Sequence, residues 1–325
     1  MAMWHTESDG LQAIGVWTEK KPGLGEDADP LLVHQISAAE GLLAVFDGAG
    51  GAGAGTAGRT EDGTELSHAW VGSRLARALV EDWFVGTGRA DETLRDHIAA
   101  GLASVRPAGR RKILGTMRRE LPSTLAAIHY RVRPDHVTWV ASWAGDSRCY
   151  LLDPETGLHQ LSRDHTDSSD ALELLTSDPP MTNMVCADRR FEVSQEPGAR
   201  DLPCLLVCAT DGFFGYVTTP AQFEHLLLRS LGSARSLADW AAAISTAVTG
   251  YTGDDASLVV LALGFPTFEH LRDAVRVRAD ELSRALTAVN TVAEDDLEGL
   301  VREREAAWSI YRESYETLMP EGEPR

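Results

Sequence analysis

The 325-residue sequence has no apolar run long enough to cross a membrane. Its longest apolar stretches, such as Leu42–Phe46 and Cys204–Ala209, are far shorter than the roughly 18 residues that a membrane helix needs. The amino terminus reads MAMWHTESDG and lacks the basic start and apolar segment of a secretory signal. We therefore expect a cytoplasmic protein with no membrane partner.

The sequence also has few cysteines, and fewer basic than acidic side chains. Four cysteines without a Cys-x-x-Cys pair argue against a disulfide framework. The 49 acidic side chains outnumber the 30 basic ones, and the formal charge of −19 would repel a phosphate backbone. Nucleic acid is therefore not an expected partner. Apolar residues still make up 43% of the chain, which is enough for a sizeable globular core.

Short β-type runs that end in Asp-Gly or Gly-Asp recur along the chain. They are LLAVFDG (42–48), VTWVASWAGD (137–146) and LLVCATDG (205–212), and GDDASLVVLAL (253–263) enters a strand from the same kind of turn. Strands that deliver carboxylates at their ends predict a shared site at one edge of a sheet. No regular helical crossovers link the runs, and residues 136–161 read as a hairpin, so we expect antiparallel sheets.

Apolar residues at helical spacing predict helices between these runs, at 66–84 and 236–248, and again after Leu263. We predict one domain over residues 1–264 and a separable C-terminal helical appendage over residues 265–325. The appendage reads as a helical hairpin that breaks near residues 294–296 or at Gly299. The alternative is that its apolar residues complete the core of the first domain, because an apolar helix face has to be buried. Those residues are Leu282, Leu286, Trp308 and Tyr311.

The glycine-rich segment GAGGAGAGTAG (48–58) invites comparison with a phosphate-binding loop. It lacks the Gly-Lys-Ser/Thr ending of a P-loop, and its many glycines and alanines match short glycine patterns by chance. Asp47, directly before the segment, is more informative. An apolar strand that ends in Asp-Gly presents a carboxylate and an exposed carbonyl together, and hard divalent cations bind such oxygens.

Six motifs, taken in order, resemble those of the metal-dependent serine/threonine protein phosphatases of the PP2C (PPM) family, bacterial type. They are GEDA (25–28), VFDGAGG (45–51), AGDSRCYLL (144–152), LSRDHT (161–166), CATDG (208–212) and GDDASLVV (253–260). PSTLAAIHY (122–130) is similar to a strand of the family that begins with a Ser-Thr pair. The resemblance spans about residues 15–263. It implies an α+β fold, an α-β-β-α sandwich of two antiparallel sheets flanked by helices, with a binuclear Mn²⁺ or Mg²⁺ centre at one end.

The resemblance implies that three aspartates form the catalytic part of this centre. Asp47 would bridge both ions, and the carbonyl of Gly48 would ligate one of them. Asp211 and Asp254 would complete the shell of the second ion. Two ions about 3.5–4 Å apart can hold an activated water in line with phosphorus while they neutralise the phosphoryl oxygens. The implied activity is hydrolysis of phosphoserine and phosphothreonine in proteins.

The resemblance assigns three further carboxylates to the metal centre. Glu26 would contact a metal or a metal-bound water, and Asp27 would hold a bound water. Asp146 would help Asp211 to hold a weaker third ion. The aspartate and histidine of the RDHT motif are expected to serve structure near the cleft.

The sequence departs from the family pattern in three places. Pro22 stands where an arginine usually grips substrate phosphate, so the adjacent Lys20 and Lys21 are the candidates for that role, as point charges without a bidentate fork. Ala49 follows the first Asp-Gly, where some members have histidine, so no general-acid histidine is expected there. Asp255 replaces the usual asparagine and is expected to add a negative charge beside the metals.

Three hypotheses about function follow. The first is a cytoplasmic phosphatase that acts on phosphorylated proteins, is linked to a serine/threonine kinase, and uses its C-terminal helices to bind a partner or a second copy. The second is a catalytically weak or inactive relative that binds phosphoproteins, having lost turnover through Pro22 and Ala49. The third, a nucleotide-binding protein that uses the glycine-rich segment, leaves the aspartates unexplained.

Overall fold

A computed structural model describes residues 2–321, apart from residues 9, 87–92, 106–117, 169, 171, 176–178 and 294–295. These residues include thirteen strands and ten α-helices; eleven of the strands form two packed antiparallel sheets, and helices lie on both outer faces. None of the helices in these ranges is long and apolar enough to cross a bilayer. The α+β sandwich expected from the motifs is confirmed.

The first sheet has six strands, and its central strand follows the Gly-Asp-Asp turn. In spatial order the strands are β1 (Ala2–Ser8), β2 (Leu11–Thr18), β13 (Ala256–Leu263), β12 (Cys204–Ala209), β9 (Arg148–Asp153) and β10 (Gly157–Gln160). All neighbouring pairs are antiparallel. Because β13 is hydrogen-bonded to a strand on each edge, the turn that leads into it is anchored to a rigid element.

The second sheet has five antiparallel strands. In spatial order they are β11 (Ser194–Asp201), β8 (His136–Ala144), β7 (Leu125–Val132), β4 (Glu40–Val45) and β3 (Leu31–Gln35). A small hairpin of β5 (Thr56–Arg59) and β6 (Glu65–Ser67) stands apart. The hairpin expected over residues 136–161 forms only between β9 and β10, because β8 belongs to the other sheet.

The continuous apolar runs of the sequence are strands buried on both faces. In β12, Leu206 and Cys208 point into the core between the sheets, whereas Leu205 and Val207 point to the helices outside. Residues of β4 alternate in the same way between the inter-sheet core and the layer of helices on its own outer face. All four cysteines are free and buried, as the lack of a cysteine framework indicates.

Helices cover both outer faces. On the five-stranded sheet lie α2 (His68–Val85) and α3 (Leu94–Val105), and on the six-stranded sheet lie α5 (Pro220–Ser233) and α6 (Leu237–Thr249). Short helices α1 (Gly50–Gly53) and α4 (Asp211–Phe214) follow β4 and β12. The fully buried face of α2 is lined by small residues such as Gly72 and Ala76, so that the helix packs close to its neighbours while Trp83 lies at the margin.

The C-terminal segment forms four helices, α7 (Phe268–Ala274), α8 (Arg276–Ala285), α9 (Thr287–Asn290) and α10 (Leu297–Glu316). Asp296 caps α10, because its Oδ1 accepts the N–H of Gly299 at 2.8 Å. Residues 294–295, where a break was expected, lie outside the described residues. Trp308, Tyr311 and Tyr315 are buried in the same apolar cluster as the six-stranded sheet, α5 and α6.

Polar contacts join the C-terminal helices to the sandwich as well. The buried carboxylate of Glu224 on α5 accepts hydrogen bonds from Arg278 Nε of α8 at 2.7 Å and from the Tyr311 hydroxyl at 2.6 Å. It also accepts the backbone N–H of Leu158 in β10 at 3.0 Å. These contacts favour the alternative in which the C-terminal helices complete the core. That the helices are separable, and that they bind a partner, remain predictions.

Candidate active site

Four aspartates lie at one end of the sandwich, each two residues from a strand. Asp47 follows β4, Asp146 follows β8 and Asp211 follows β12, while Asp254 precedes β13. Two of these strands come from each sheet, so carboxylates from both sheets meet at the same end. Asp211 is also the first residue of α4.

The central carboxylates are close enough to perturb one another. Burial raises the pKa of Asp47 well above its usual range, and the nearby charges of Asp27, Asp211 and Asp146 raise it further. Burial also raises the pKa of Asp146, with Asp211 as the largest charge contribution. The structure therefore brings Asp27, Asp47, Asp146 and Asp211 together into one group of carboxylates that favour a neutral or cation-bound state.

Asp27 is the member of this group that a buried hydroxyl holds in place. Its carboxyl is hydrogen-bonded to that of Asp47, and its Oδ2 accepts the Thr210 hydroxyl at 2.8 Å. Thr210 in turn accepts the backbone N–H of Ser257 at 2.8 Å, which ties the end of β12 to the start of β13. Burial raises the pKa of Asp27, because the charged form loses its hydration there.

The loops that carry Asp47 and Asp146 are joined through the Ser-Thr pair at the start of β7. The hydroxyl of Thr124 accepts the N–H of Asp47 at 3.1 Å and lies 2.6 Å from the hydroxyl of Ser147. The N–H of Thr124 donates to the Asp47 carbonyl at 2.8 Å. Thr124 therefore fixes the separation of the two aspartate-bearing loops.

Two glycines permit close approach around Glu26. A Cβ on Gly48 would lie 2.5 Å from the Glu26 carbonyl and 2.7 Å from the Ala69 carbonyl. A Cβ on Gly50 would lie 2.0 Å from Oε2 of Glu26. The other carboxylate oxygen of Glu26 accepts the Ser67 hydroxyl, so the side chain is held between the β5–β6 hairpin and α1. Burial raises the pKa of Glu26, and the charge of Lys21 opposes that shift.

Glu26 borders a second group of acidic residues with Asp254 and Asp255. The charges of both aspartates raise the pKa of Glu26, after the larger effect of burial. Oδ1 of Asp254 accepts the N–H of Asp255 at 2.9 Å, and Tyr216 donates its hydroxyl to Oδ2 at 3.4 Å. The predicted ligands thus fall into two groups, the central group and an outer group that contains Glu26 and Asp254. The two groups are joined in the chain by the neighbouring residues Glu26 and Asp27.

A cleft of about 350 Å³ opens beside the outer group. Both predicted phosphate-binding residues, Lys20 and Lys21, line it together with Glu26 and Asp254. Leu24 and Asp255 also line the cleft. The remaining lining residues come from β6 and the start of α2 and are Glu65, Leu66, Ser67 and Trp70. The two lysines are exposed, so their ammonium groups are available to an anion in the cleft.

The carboxylate of Asp255 faces backbone amides. Its Oδ1 accepts the N–H of Lys20 at 2.7 Å, and its Oδ2 accepts the N–H of Glu26 at 2.6 Å. The sequence indicates only an extra negative charge beside the metals, because nothing local in DDAS points to amides more than 200 residues earlier. The contacts of Ser67 and Thr210 are likewise not visible in the sequence, and the Ser-Thr pair that contains Thr124 is recognised there only as the start of a strand.

Asp164 and His165 of the RDHT motif support the loops around the central group. Asp164 and Arg148 form a buried ion pair, in which the carboxylate accepts hydrogen bonds from Nη2 at 2.7 Å and from Nε at 2.9 Å. The guanidinium of Arg148 also lies over the ring of Phe214 at 4.1 Å, at the end of α4. Nδ1 of His165 accepts the N–H of Gly145 at 3.1 Å. These contacts hold the loops on either side of Asp146 and Asp211.

The donor chemistry of the central group fits a divalent cation. Its members are carboxylates, and the buried Oδ1 of Asp146 has no hydrogen-bond partner in the described part of the chain. Buried carboxylates this close together are unfavourable unless a cation or protons neutralise them. No three His, Cys, Asp or Glu side chains in the described ranges are already arranged as a coordination shell.

The two-sheet sandwich is the fold of solved bacterial protein phosphatases. The chain belongs to the Protein phosphatase 2C family, since it matches the sequence profile of that family over residues 26–247, more than half of its length. Members of this family are metal-dependent. A search of curated protein sequences found no match.

Solved structures share the fold. A bacterial serine phosphatase is 17% identical, with a TM-score of 0.53 over 77% of this chain and 97% of that one. The serine/threonine phosphatase Stp1 from Staphylococcus aureus is 18% identical, with a TM-score of 0.52 over 78% of this chain and 94% of that one. PppA, a key regulatory component of T6SS in Pseudomonas aeruginosa, is 20% identical, with a TM-score of 0.50 over 78% and 99%. At these identities the likeness concerns the fold alone.

Proposed function

We propose that the chain is a metal-dependent protein serine/threonine phosphatase. The observation that carries this proposal is the convergence of Asp27, Asp47, Asp146 and Asp211 at the end of the sandwich. A cleft that presents both lysines lies beside Glu26 and Asp254 at the same end. A group of carboxylates suited to a cation, next to a cleft that presents two lysines to an anion, is the combination that hydrolysis of a phosphate monoester requires.

Asp47, Asp211 and Asp254 would be the principal holders of two Mn²⁺ or Mg²⁺ ions, together with the Gly48 carbonyl and Glu26. When bound, the ions would supply an activated water and neutralise charge on the phosphoryl oxygens. Asp146 is proposed to contribute to a weaker third site.

The other residues of the site orient the reactants. Asp27 is held by Thr210 and in turn holds Asp47, so its part is to keep that carboxylate in place. Lys20 and Lys21 would bind the phosphate as point charges. The residue after the first Asp-Gly is the buried Ala49, so the leaving alkoxide takes no proton from that position.

The substrate class proposed is a phosphorylated protein, with a serine/threonine kinase as the enzyme that produces it. The cleft has a volume of about 350 Å³, and its charged lining residues are the two lysines and four carboxylates, Glu26, Glu65, Asp254 and Asp255. A net charge of −19 disfavours nucleic acid as a phosphate donor. The proposed site of action is the cytoplasm.

The test is hydrolysis of p-nitrophenyl phosphate and of a phosphoserine peptide by the purified chain. We expect turnover of both with Mn²⁺ and loss of turnover when EDTA is added. A protein that binds the phosphopeptide without turnover at any Mn²⁺ or Mg²⁺ concentration would instead be the inactive, phosphoprotein-binding relative. Release of phosphate from the peptide at a rate unaffected by EDTA would contradict the metal route.

A further inference from the structure

The loop from Lys20 to Glu26 is held by two carboxylates that lie outside it. Glu19 accepts the N–H of Gly23 at 2.9 Å and the N–H of Gly25 at 3.2 Å. Asp255 accepts the N–H groups at both ends of the loop, from Lys20 at 2.7 Å and from Glu26 at 2.6 Å. Four backbone donors of one short loop are thus bound by two acidic side chains.

The backbone of Asp255 is held more rigidly than that of Glu19. It lies directly before β13, which is hydrogen-bonded to β2 and β12, and it is only 9% exposed. A carboxylate offers acceptor oxygens in both directions, whereas an asparagine offers one oxygen and one NH₂ group. An asparagine in this place would therefore turn a donor towards the N–H of either Lys20 or Glu26.

Lysine needs such support more than arginine does. A lysine ammonium is a point charge on a flexible four-carbon stem, and it holds phosphate without the fixed fork of a guanidinium. The position of Lys20 in the cleft therefore depends on where its backbone is held. Its own N–H is one of the two groups that Asp255 binds.

We propose that Asp255 is a positioning residue that sets the affinity for phosphate monoesters by fixing the loop that carries Lys20 and Lys21. This inference rests on the proposed phosphatase function. It assigns Asp255 to the substrate side of the site, through backbone amides, and separates it from the neighbouring Asp254, which is a candidate metal ligand.

Steady-state kinetics with p-nitrophenyl phosphate at saturating Mn²⁺ test the inference. For Asp255→Asn we expect KM to rise about 10-fold while kcat changes little, since one charge-assisted hydrogen bond is lost on the binding side. The matched control is Asp135→Asn, an aspartate with an 85% exposed side chain beyond the opposite end of β8, which should leave both constants unchanged. An unchanged KM with a lowered affinity for Mn²⁺ would assign Asp255 to the metal and overturn the proposal.

A double-mutant cycle separates positioning from general damage. If Asp255 acts through Lys20, adding Asp255→Asn to Lys20→Ala should raise KM no further than the worse single variant does. The same cycle built with Asp135→Asn should be additive. Additive effects of Asp255→Asn and Lys20→Ala would show independent roles and contradict the inference.

Amide hydrogen exchange in the metal-free protein gives a readout that needs no turnover. The N–H groups of Lys20 and Glu26 should exchange slowly in the unmodified protein and faster in Asp255→Asn, but not in Asp135→Asn. Fast exchange at both amides in the unmodified protein would overturn the proposal even if Asp255→Asn does not fold. If the unmodified protein shows slow exchange but no phosphatase activity, the proposed function fails while the contact itself stands.

Discussion

Tyr311 on α10 donates its hydroxyl to the carboxylate of Glu224 on α5 across 2.6 Å, and both side chains are buried. The two residues are 87 positions apart in the chain. Arg278 adds a second donor to the same carboxylate. A buried charge is tolerated when hydrogen bonds and an opposite charge surround it. The C-terminal helices therefore supply the groups that make the burial of Glu224 acceptable.

Replacing Tyr311 with phenylalanine should weaken the fold without changing its shape. We expect the free energy of unfolding to fall by about 2 kcal/mol, because a buried carboxylate loses one hydrogen bond. Urea denaturation followed by circular dichroism measures the change. Ser309→Ala is the matched control, since it removes an exposed hydroxyl from the same helix and should cost less than about 0.5 kcal/mol. Equal stability of Tyr311→Phe and Ser309→Ala would show that the contact contributes nothing.

Truncation after Gly264 tests whether the appendage is separable. It would expose the aromatic pocket filled by Trp308 and Tyr315 and leave Glu224 without Arg278 or Tyr311. We expect the fragment to be insoluble, or to lack a cooperative thermal transition. A soluble fragment that hydrolyses p-nitrophenyl phosphate at the full-length rate would support the separable appendage predicted from the sequence.

The apolar pattern and the strand-end carboxylates could be predicted because they are local signals. Leu237, Trp240, Ile244 and Val248 recur at helical spacing, and all four are buried in α6. The contacts of Glu224 could not be predicted, since an isolated glutamate in a helix reads as a surface residue until its distant partners are known. In the same way the sequence shows Asp255 as a departure from a motif but cannot show which amides it binds.

Asp211→Asn should abolish metal-dependent hydrolysis and leave the fold intact. The substitution removes a candidate ligand, but it also removes a charge that raises the pKa of both Asp47 and Asp146. With EDTA present, the melting temperature should therefore equal or exceed that of the unmodified protein. The exposed Asp201→Asn serves as control for both measurements. Full turnover of Asp211→Asn at saturating Mn²⁺ would remove Asp211 from the site.

The double variant Lys20→Ala, Lys21→Ala should raise KM for p-nitrophenyl phosphate and spare kcat. Loss of a contact made equally in the ground state and the transition state has this effect. Arg133→Ala removes an exposed positive charge from the turn between β7 and β8 and should leave KM unchanged. If the double variant keeps its KM, the phosphate charge is held elsewhere, and Arg59 in the β5–β6 hairpin is the next residue to test.

His159 should make the fold less stable in mild acid. Burial lowers its pKa below the usual value of about 6.5, and its neutral ring contacts the Ser314 carbonyl and the Thr156 hydroxyl. The unfolded chain therefore binds this proton more readily, so stability is unaffected above about pH 6.5 and falls as the pH drops towards the folded pKa. Unfolding free energies at pH 7.5 and 5.5 should differ less in His159→Gln than in the unmodified protein. Equal differences would show that His159 does not contribute to the acid sensitivity.

The position of Arg278 and Tyr311 in the chain has a consequence for biosynthesis. Both residues leave the ribosome after every candidate ligand of the site, from Glu26 to Asp254, has already emerged. Until then the nascent chain holds Glu224 without the two side chains that bind its carboxylate. If the C-terminal helices complete the core, we expect the domain to fold as one unit after they have emerged. We therefore expect the candidate site to assemble only after a segment that supplies none of its proposed ligands has emerged.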